Sequence, residues 1–281
     1  MRRAFSLAAQ SYDAAAVLAR ETGLRMAERL DLVRIAPARI ADIGCATGDG
    51  LRQFQRRYPA ALPLAVDSAA AMLAQVKARA SLPQRLLGRA PCPINADVRA
   101  LPLASGSLGL AWSNLMLHWL DEPLPAFREL NRVLEADGLL MFSMLGPDTL
   151  KELRAACADA GVAAPLRNFR DMHDVGDALL AAGFADPVMD MEMVTLTYRT
   201  ARGLLADQRH LGVRDGLLGR LPWRDWRKVF AAYAARRIDG RLPASFEIVY
   251  GHAWKAQPKT TADGRAIVRF EPRATTALPR S

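Results

Sequence analysis

Asp42, Gly44, Ala46 and Gly48 occupy every second position of the segment Ile40-Ala41-Asp42-Ile43-Gly44-Cys45-Ala46-Thr47-Gly48-Asp49-Gly50. A short run from Ile40 to Ile43 breaks into a turn of small residues and then opens a helical pattern. Glycine at such a junction removes the Cβ that would hold a backbone away from a ligand. The spacing is close to the dinucleotide fingerprint but lacks its Gly-x-Gly-x-x-Gly register, so a ligand cradle and a plain tight turn both remain open. Asp67 bears on the choice. It ends the apolar run from Leu62 to Val66, 19 residues after Gly48, near the ~20-residue interval at which an acid receives a ribose hydroxyl pair. An ionised carboxylate accepts hydroxyl hydrogen bonds and disfavours phosphate, so the site suits adenosine. Ser68 then opens the next helix, with Met72 one turn along it. Asn95-Ala96-Asp97-Val98 ends a third run, where Asp97 can accept an adenine amino group and Val98 can pack on the ring. Leu108 to Trp112 runs into Ser113-Asn114. Residues at the carboxyl ends of successive strands open onto one crevice.

The alternating small residues resemble the first motif of class I S-adenosylmethionine (SAM) methyltransferases. That resemblance implies a Rossmann-like, doubly wound α/β sheet, mostly parallel with an antiparallel last strand. It also implies SAM as cofactor, with Asp42, Gly44, Cys45, Ala46, Gly48, Asp67, Ser68, Met72, Asp97, Val98 and Asn114 as its binding residues. Ala46 departs from the glycine common at its position, and its methyl group crowds the loop. No metal site is expected.

The elements that must position these residues follow from hydrophobic period. Helical spacing runs to about Asp31, with Leu18, Met26, Leu30 and Val33 as apolar positions, giving a helical cap over 1–38. Strand-like and helix-like runs then alternate, as in a parallel sheet, so 39–199 forms the cofactor-binding core. Leu139 to Ser143, Met189 to Tyr198 and Phe246 to Trp254 read as later strands. A helical insertion over 200–243 separates the last two, and 244–255 forms the final core strand. In this topology the insertion lies over the carboxyl edge of the sheet as a lid. Residues 256–281 are polar and rich in Pro, Thr and Arg, and read as a loosely ordered tail.

Composition fits a cytoplasmic enzyme. The chain of 281 residues is 51% hydrophobic yet has no apolar run of about 18 residues, the least a membrane span needs. Three scattered cysteines read as reduced thiols rather than a disulfide frame. The net charge is +9. From Arg199 to Arg241 eleven basic residues face four acids, a local +7. A basic lid calls for an anionic partner such as nucleic acid or an acidic carrier protein, unless it is simply a solvated face. Against nucleic acid, the segment Ser113-Asn114-Leu115-Met116-Leu117-His118-Trp119 lacks the Asn/Asp-Pro-Pro-aromatic turn used on base amines. Trp223 and Trp226, three residues apart, could stack on bases or form the buried stripe of a helix.

More specific similarities extend across residues 4–255. Phe5 to Asp13, Ala111 to Trp119 and Arg128 to Leu134 resemble the malonyl-[acyl-carrier-protein] O-methyltransferases of biotin synthesis. So do Phe142 to Leu150, Asp171 to Asp177 and Gly251 to Trp254. The resemblance implies methylation of the free carboxylate of a malonyl thioester on an acidic acyl carrier protein. It places Tyr12 over the cofactor, Trp119 as a wall of the transfer site, and Arg209 beside the malonyl carboxylate. His118 either orients that carboxylate or serves as a structural histidine. A mitochondrial branch, complex I assembly factors implicated in arginine hydroxylation, shares the His118-Trp119 and Asp148-Thr149-Leu150 features. A protein-directed hydroxylase or assembly role and an RNA methyltransferase therefore stand as alternatives.

Overall fold

The computed structural model describes residues 1–86 and 88–257, so nearly all of the expected tail lies outside the described residues. The N-terminal segment folds as three helices, α1 (Arg2–Ala8), α2 (Tyr12–Ala15) and α3 (Val17–Arg29), followed by a 3₁₀ turn at Leu30–Leu32. The reading of one continuous helical pattern misses the break at Ala16, whose ψ of 34° leaves the helical region. That break turns the short α2 down onto the glycine-rich loop.

The core then runs β1 (Arg39–Ile43), α4 (Asp49–Arg57), β2 (Leu62–Asp67), α5 (Ala70–Arg79), α6 (Leu82–Leu86) and β3 (Cys92–Asn95). It continues through β4 (Leu108–Asn114), α7 (Leu124–Val133), β5 (Leu134–Leu145), α8 (Lys151–Asp159), α9 (Met172–Ala181) and β6 (Phe184–Tyr198). Helices α10 (Ala201–His210), α11 (Arg214–Leu218) and α12 (Trp223–Ala234) precede β7 (Leu242–Lys255). The seven strands order as β3-β2-β1-β4-β5-β7-β6. Strands β1 to β5 pair in parallel, and β7 slots antiparallel between β5 and β6. The expected sheet class holds.

Strand β6 begins five residues earlier than the sequence suggests. A register shift between Ala185 and Val188, at Asp186 (φ 48°) and Pro187, interrupts the alternation there. Strand β7 likewise begins at Leu242, two residues before the expected 244.

Alternation along the central strands feeds two cores, because successive side chains point to opposite faces. Leu139, Met141 and Leu145 join Phe54 and Trp112 on one face, while Leu140, Phe142 and Met144 join Phe127 and Val133 on the other. Burial on both faces explains why β4 is buried from Leu108 to Ser113. Strand order reverses between β1 and β4, and such a switch point opens a crevice at the carboxyl ends of the strands. The chain leaves β6 and re-enters β7 at that same edge, so α10 and α11 reach over it. Among the described residues no helix is long and apolar enough to cross a membrane.

Candidate functional site

Gly44 follows β1 with φ 77°, and a Cβ there would lie 2.3 Å from Met116 Cγ. The Gly44 and Cys45 N–H groups both donate to Val66 O, at 2.8 and 3.0 Å, which pins the loop to β2. Ala46 holds φ 45°, a left-handed conformation that costs an L-residue about 1–2 kcal/mol. Its N–H donates to Asp67 Oδ2 at 3.0 Å, while Ala69 N–H donates to Oδ1 at 2.7 Å. A carboxylate offers about four acceptor positions, so Asp67 keeps capacity for hydroxyls after bracing the loop. Burial pushes its carboxyl above the ordinary value, and the two amide bonds pull it back.

A groove of about 860 Å³ follows, lined by Gly44, Ala46, Asp67, Ser68, Asp97, Val98 and Asn114 together with Tyr12 and Trp119. Seven of the proposed cofactor residues thus share one surface. Asp97 is bound at both oxygens by Arg99, whose side chain holds its carboxyl down to about 2. Asn114 accepts from Thr22 Oγ1 at 2.8 Å and Ser143 Oγ at 2.7 Å, and donates to Ala19 O at 2.7 Å. Those bonds fasten α3 to the sheet and leave one N–H of the amide uncommitted.

The groove continues into a polar end lined by Asp42, Cys45, Gln53 and Arg20. Asp42 is 3% exposed, and burial, with Asp67 and Asp49 nearby, pushes its carboxyl up to about 8. Gln53 Oε1 is buried without a donor. An acceptor without a donor at Gln53 and the Arg20 guanidinium lining the same end fit an α-amino acid zwitterion, the terminal group of SAM. Arg20 and Gln53 had no signal in the sequence, since neither falls in the loop motif. The same holds for Arg79, which pairs with Asp13 and donates to Thr47 O at 3.0 Å. With Thr47 Oγ1 donating to Asp13 Oδ1 at 2.6 Å, these bonds latch α2 onto the loop.

Two of the proposed cofactor residues serve this architecture without lining the groove or its polar end. Gly48 caps α4 at φ 85°, and a Cβ there would lie 3.0 Å from Val76 Cγ2. Met72 is fully buried with Ala9 and Ala69 beneath Tyr12 and Ala46.

Beside the groove lies a second, smaller cavity, mostly apolar. Phe5, Tyr12, Leu115 and Trp119 line both, so they form the partition between them. Leu18, Leu145, Leu196 and Phe246 supply apolar walls, and His118, Tyr198 and Gln208 the polar atoms. Among the described residues, no Arg or Lys lines this chamber. Tyr12 borders the groove, its polar end and the chamber at once. Desolvation and then Asp67 push its hydroxyl above the ordinary value, keeping it neutral.

Arg209 does not line the chamber. It lines an outer cleft with Arg3, Ser11, His210, Arg214 and Arg220. Gln208 is the buried member of that helical turn, and one further residue rotates a side chain by about 100° around a helix. Within the lid, Gln208, Leu211, Val213 and Leu217 line the chamber while Arg209, His210, Gly212 and Arg214 line the cleft. One layer of chain therefore separates a basic cleft from an apolar chamber. On α12, Trp226 is buried and Trp223 is 52% exposed against Phe230 and Arg202.

Residues 41–142 match the methyltransferase domain family. Solved structures share the fold at low identity. The YcgJ protein of Bacillus subtilis aligns over 85% of this chain and all of its own at TM-score 0.58 and 15% identity. A phosphoethanolamine N-methyltransferase of Haemonchus contortus, solved with S-adenosylhomocysteine, aligns over 84% of this chain and 53% of its own at TM-score 0.54 and 15% identity. The malonyl-[acyl-carrier protein] O-methyltransferase of Gallionella capsiferriformans is 49% identical across 96% of this chain and 94% of its own. The protein of the same name from Laribacter hongkongensis is 48% identical across 98% and 96%. With such identity over nearly the full length of both chains, this chain belongs to the malonyl-[acyl-carrier protein] O-methyltransferases, SAM-dependent enzymes built on a class I methyltransferase fold.

Proposed function

We propose that the chain methylates the free carboxylate of a malonyl group carried by acyl carrier protein, as an early step of biotin synthesis in the cytoplasm. The observation that carries this reading is the apolar chamber that shares Tyr12, Phe5, Leu115 and Trp119 with the cofactor groove and, among the described residues, has no cation in its lining. SAM supplies a methyl group on a positively charged sulfur. A malonyl carboxylate, with a pKa near or below the ~3.9 of Asp, is already ionised at neutral pH, so no residue has to act as a base.

Transfer would form the ester C–O bond as the sulfur–methyl bond breaks, leaving two neutral products, the methyl ester and S-adenosylhomocysteine. A dry, cation-free lining favours those products over the separated ions, because neither water nor an ammonium stabilises the carboxylate beforehand. Trp119 and Phe5, in edge contact at 6.3 Å between centroids, would exclude water at the partition. Tyr12 would close the N-terminal cap over both ligands. The chamber is too small for a protein, so the carrier stays outside and only its thioester arm enters. The outer cleft offers Arg3, Arg209, Arg214 and Arg220, with Asp215 engaged by the last two. An acidic carrier surface complements it.

The test uses methyl-labelled SAM with malonyl-carrier protein, acetyl-carrier protein, a free malonyl thioester, or RNA. Base-labile label on the malonyl carrier, absent from the acetyl carrier, is the expected result. Protein that binds SAM yet leaves the malonyl carrier unlabelled refutes the reading, and label on RNA would reassign the basic cleft to nucleic acid.

A further inference from the structure

Among the residues lining the acyl chamber, one buried side-chain polar atom has no partner: Nε2 of His118. The residue is 5% exposed and sits in the 3₁₀ turn Leu117–Trp119 that follows β4. Its other nitrogen, Nδ1, accepts the Leu145 N–H at 3.3 Å. A ring nitrogen that accepts carries no hydrogen, so the neutral imidazole has its proton on Nε2. Trp119, 4.6 Å away between centroids, and Phe169, edge-on at 5.3 Å, hold the ring in place.

The ring also stays neutral. Burial, and then the Arg167 guanidinium, hold the imidazolium form down to about 3. Arg167 lies over Trp119, 5.9 Å from its ring centroid, and is itself bonded to Trp119 O and Asp121. The other titratable side chains facing the chamber are Tyr12 and Tyr198, both pushed upward and therefore neutral. Tyr198 is committed to Asp207 and Gln208.

We propose that the Nε2–H of His118 donates to the malonyl carboxylate and holds it in the chamber. This inference rests on the malonyl reading above. A neutral donor suits the chemistry better than a cation. The carboxylate loses its charge as the ester forms, so an ammonium or guanidinium would stabilise the ground state more than the transition state. A neutral N–H serves the carboxylate oxygen before transfer and the ester carbonyl after it.

The test compares wild type with His118→Phe, which keeps a ring without a donor, and His118→Gln, whose amide N–H falls near the Nε2 position. H118F should lower kcat/KM for malonyl-carrier protein about 10- to 100-fold, as loss of a bond to a charged group does, with SAM affinity by calorimetry unchanged. H118Q should recover most of the loss. At saturating SAM, the wild-type profile should be flat from pH 5.5 to 7. A limb with a midpoint between 6 and 7 that H118Q abolishes would overturn the neutral-donor assignment, as would H118F at wild-type efficiency. Should H118F fail to fold, the Nε2–H proton resonance of wild type decides. It should shift on addition of malonyl-coenzyme A with S-adenosylhomocysteine, and an unmoved resonance overturns the inference. Wild type that never methylates the malonyl carrier would instead refute the malonyl reading itself.

Discussion

Asp67→Asn separates the two tasks of one carboxylate. In the structure both oxygens are in use, one on Ala46 N–H and one on Ala69 N–H, and spare acceptor positions face the groove. An amide keeps one oxygen and turns an NH₂ toward the other donor. For SAM, the variant loses the charge and at least one ribose acceptor. Hydrogen bonds to a charged group contribute about 1.5–3 kcal/mol each, so Kd should rise about 10- to 100-fold. For folding, the broken amide bond costs about 1–3 kcal/mol. Burial already raises the Asp67 carboxyl, so removing that buried charge returns a comparable amount. Net stability should stay within about 1 kcal/mol, a shift of ~2–4 °C in Tm. Calorimetric titration with SAM and a thermal melt read the two effects separately. Asp97→Asn is the control: its carboxylate is already engaged by Arg99, so Kd should rise less than about fivefold for one neutral-grade bond. An Asp67→Asn protein that melts normally and binds SAM within threefold of wild type would falsify the ribose assignment.

Other consequences can be measured independently. Ala46→Gly relieves the left-handed φ of 45° by about 1–2 kcal/mol against a chain-entropy cost of about 0.5–1 kcal/mol. Denaturant unfolding should therefore show a gain of about 0.5–1 kcal/mol, and a loss would mean the alanine is unstrained there. Asp42 has a folded value of about 8 against the ordinary 3.8, so between these values the folded state holds a proton that the unfolded state has released. Its contribution is complete below pH 4 and declines as pH rises toward 8, by up to about 1.4 kcal/mol per unit. Asp42→Asn should flatten that slope, and identical slopes in the two proteins rule the assignment out. Reversing Arg3 and Arg209 to Glu should raise KM for malonyl-carrier protein about 3- to 10-fold at low salt, through lost electrostatic complementarity. A free malonyl thioester should respond less, and high salt should shrink the gap. The same reversal at Arg224 and Arg227 on α12, which do not line the cleft, should do less. A larger effect from the α12 pair would move the docking face there.

Three of the motifs that carry the family resemblance, Phe142 to Leu150, Asp171 to Asp177 and Gly251 to Trp254, prove to be largely scaffold. The turn Gly146-Pro147-Asp148-Thr149 is clasped by Glu247, which accepts Asp148 N–H at 2.6 Å while its carbonyl accepts Gly146 N–H at 2.9 Å. Asp171 caps α9 by accepting His173 N–H at 2.8 Å. Gly251 makes room for Phe142, whose Cζ would lie 2.3 Å from an added Cβ. These residues hold β7 in the sheet and start α9.

The sequence by itself determined what is local. The β1 loop, the Asp67 interval, the alternating elements and the +7 of the lid are encoded within a few dozen residues. Strand and helix periods, together with the conformational demands of small residues, can be read at that range. Tertiary structure decided which side chains meet. Asp13 finds Thr47 and Arg79 across 34 and 66 residues. The chamber takes walls from the cap, the turn after β4, strands β5, β6 and β7, and the lid together. Arg209 carries the right charge for a carboxylate, yet it faces the outer cleft because its buried neighbour Gln208 takes the inward position. The Nε2–H of His118 is likewise fixed only by a distant backbone amide, that of Leu145 at the end of β5. Composition and spacing specify elements, but the facing of each side chain and its desolvation depend on long-range packing.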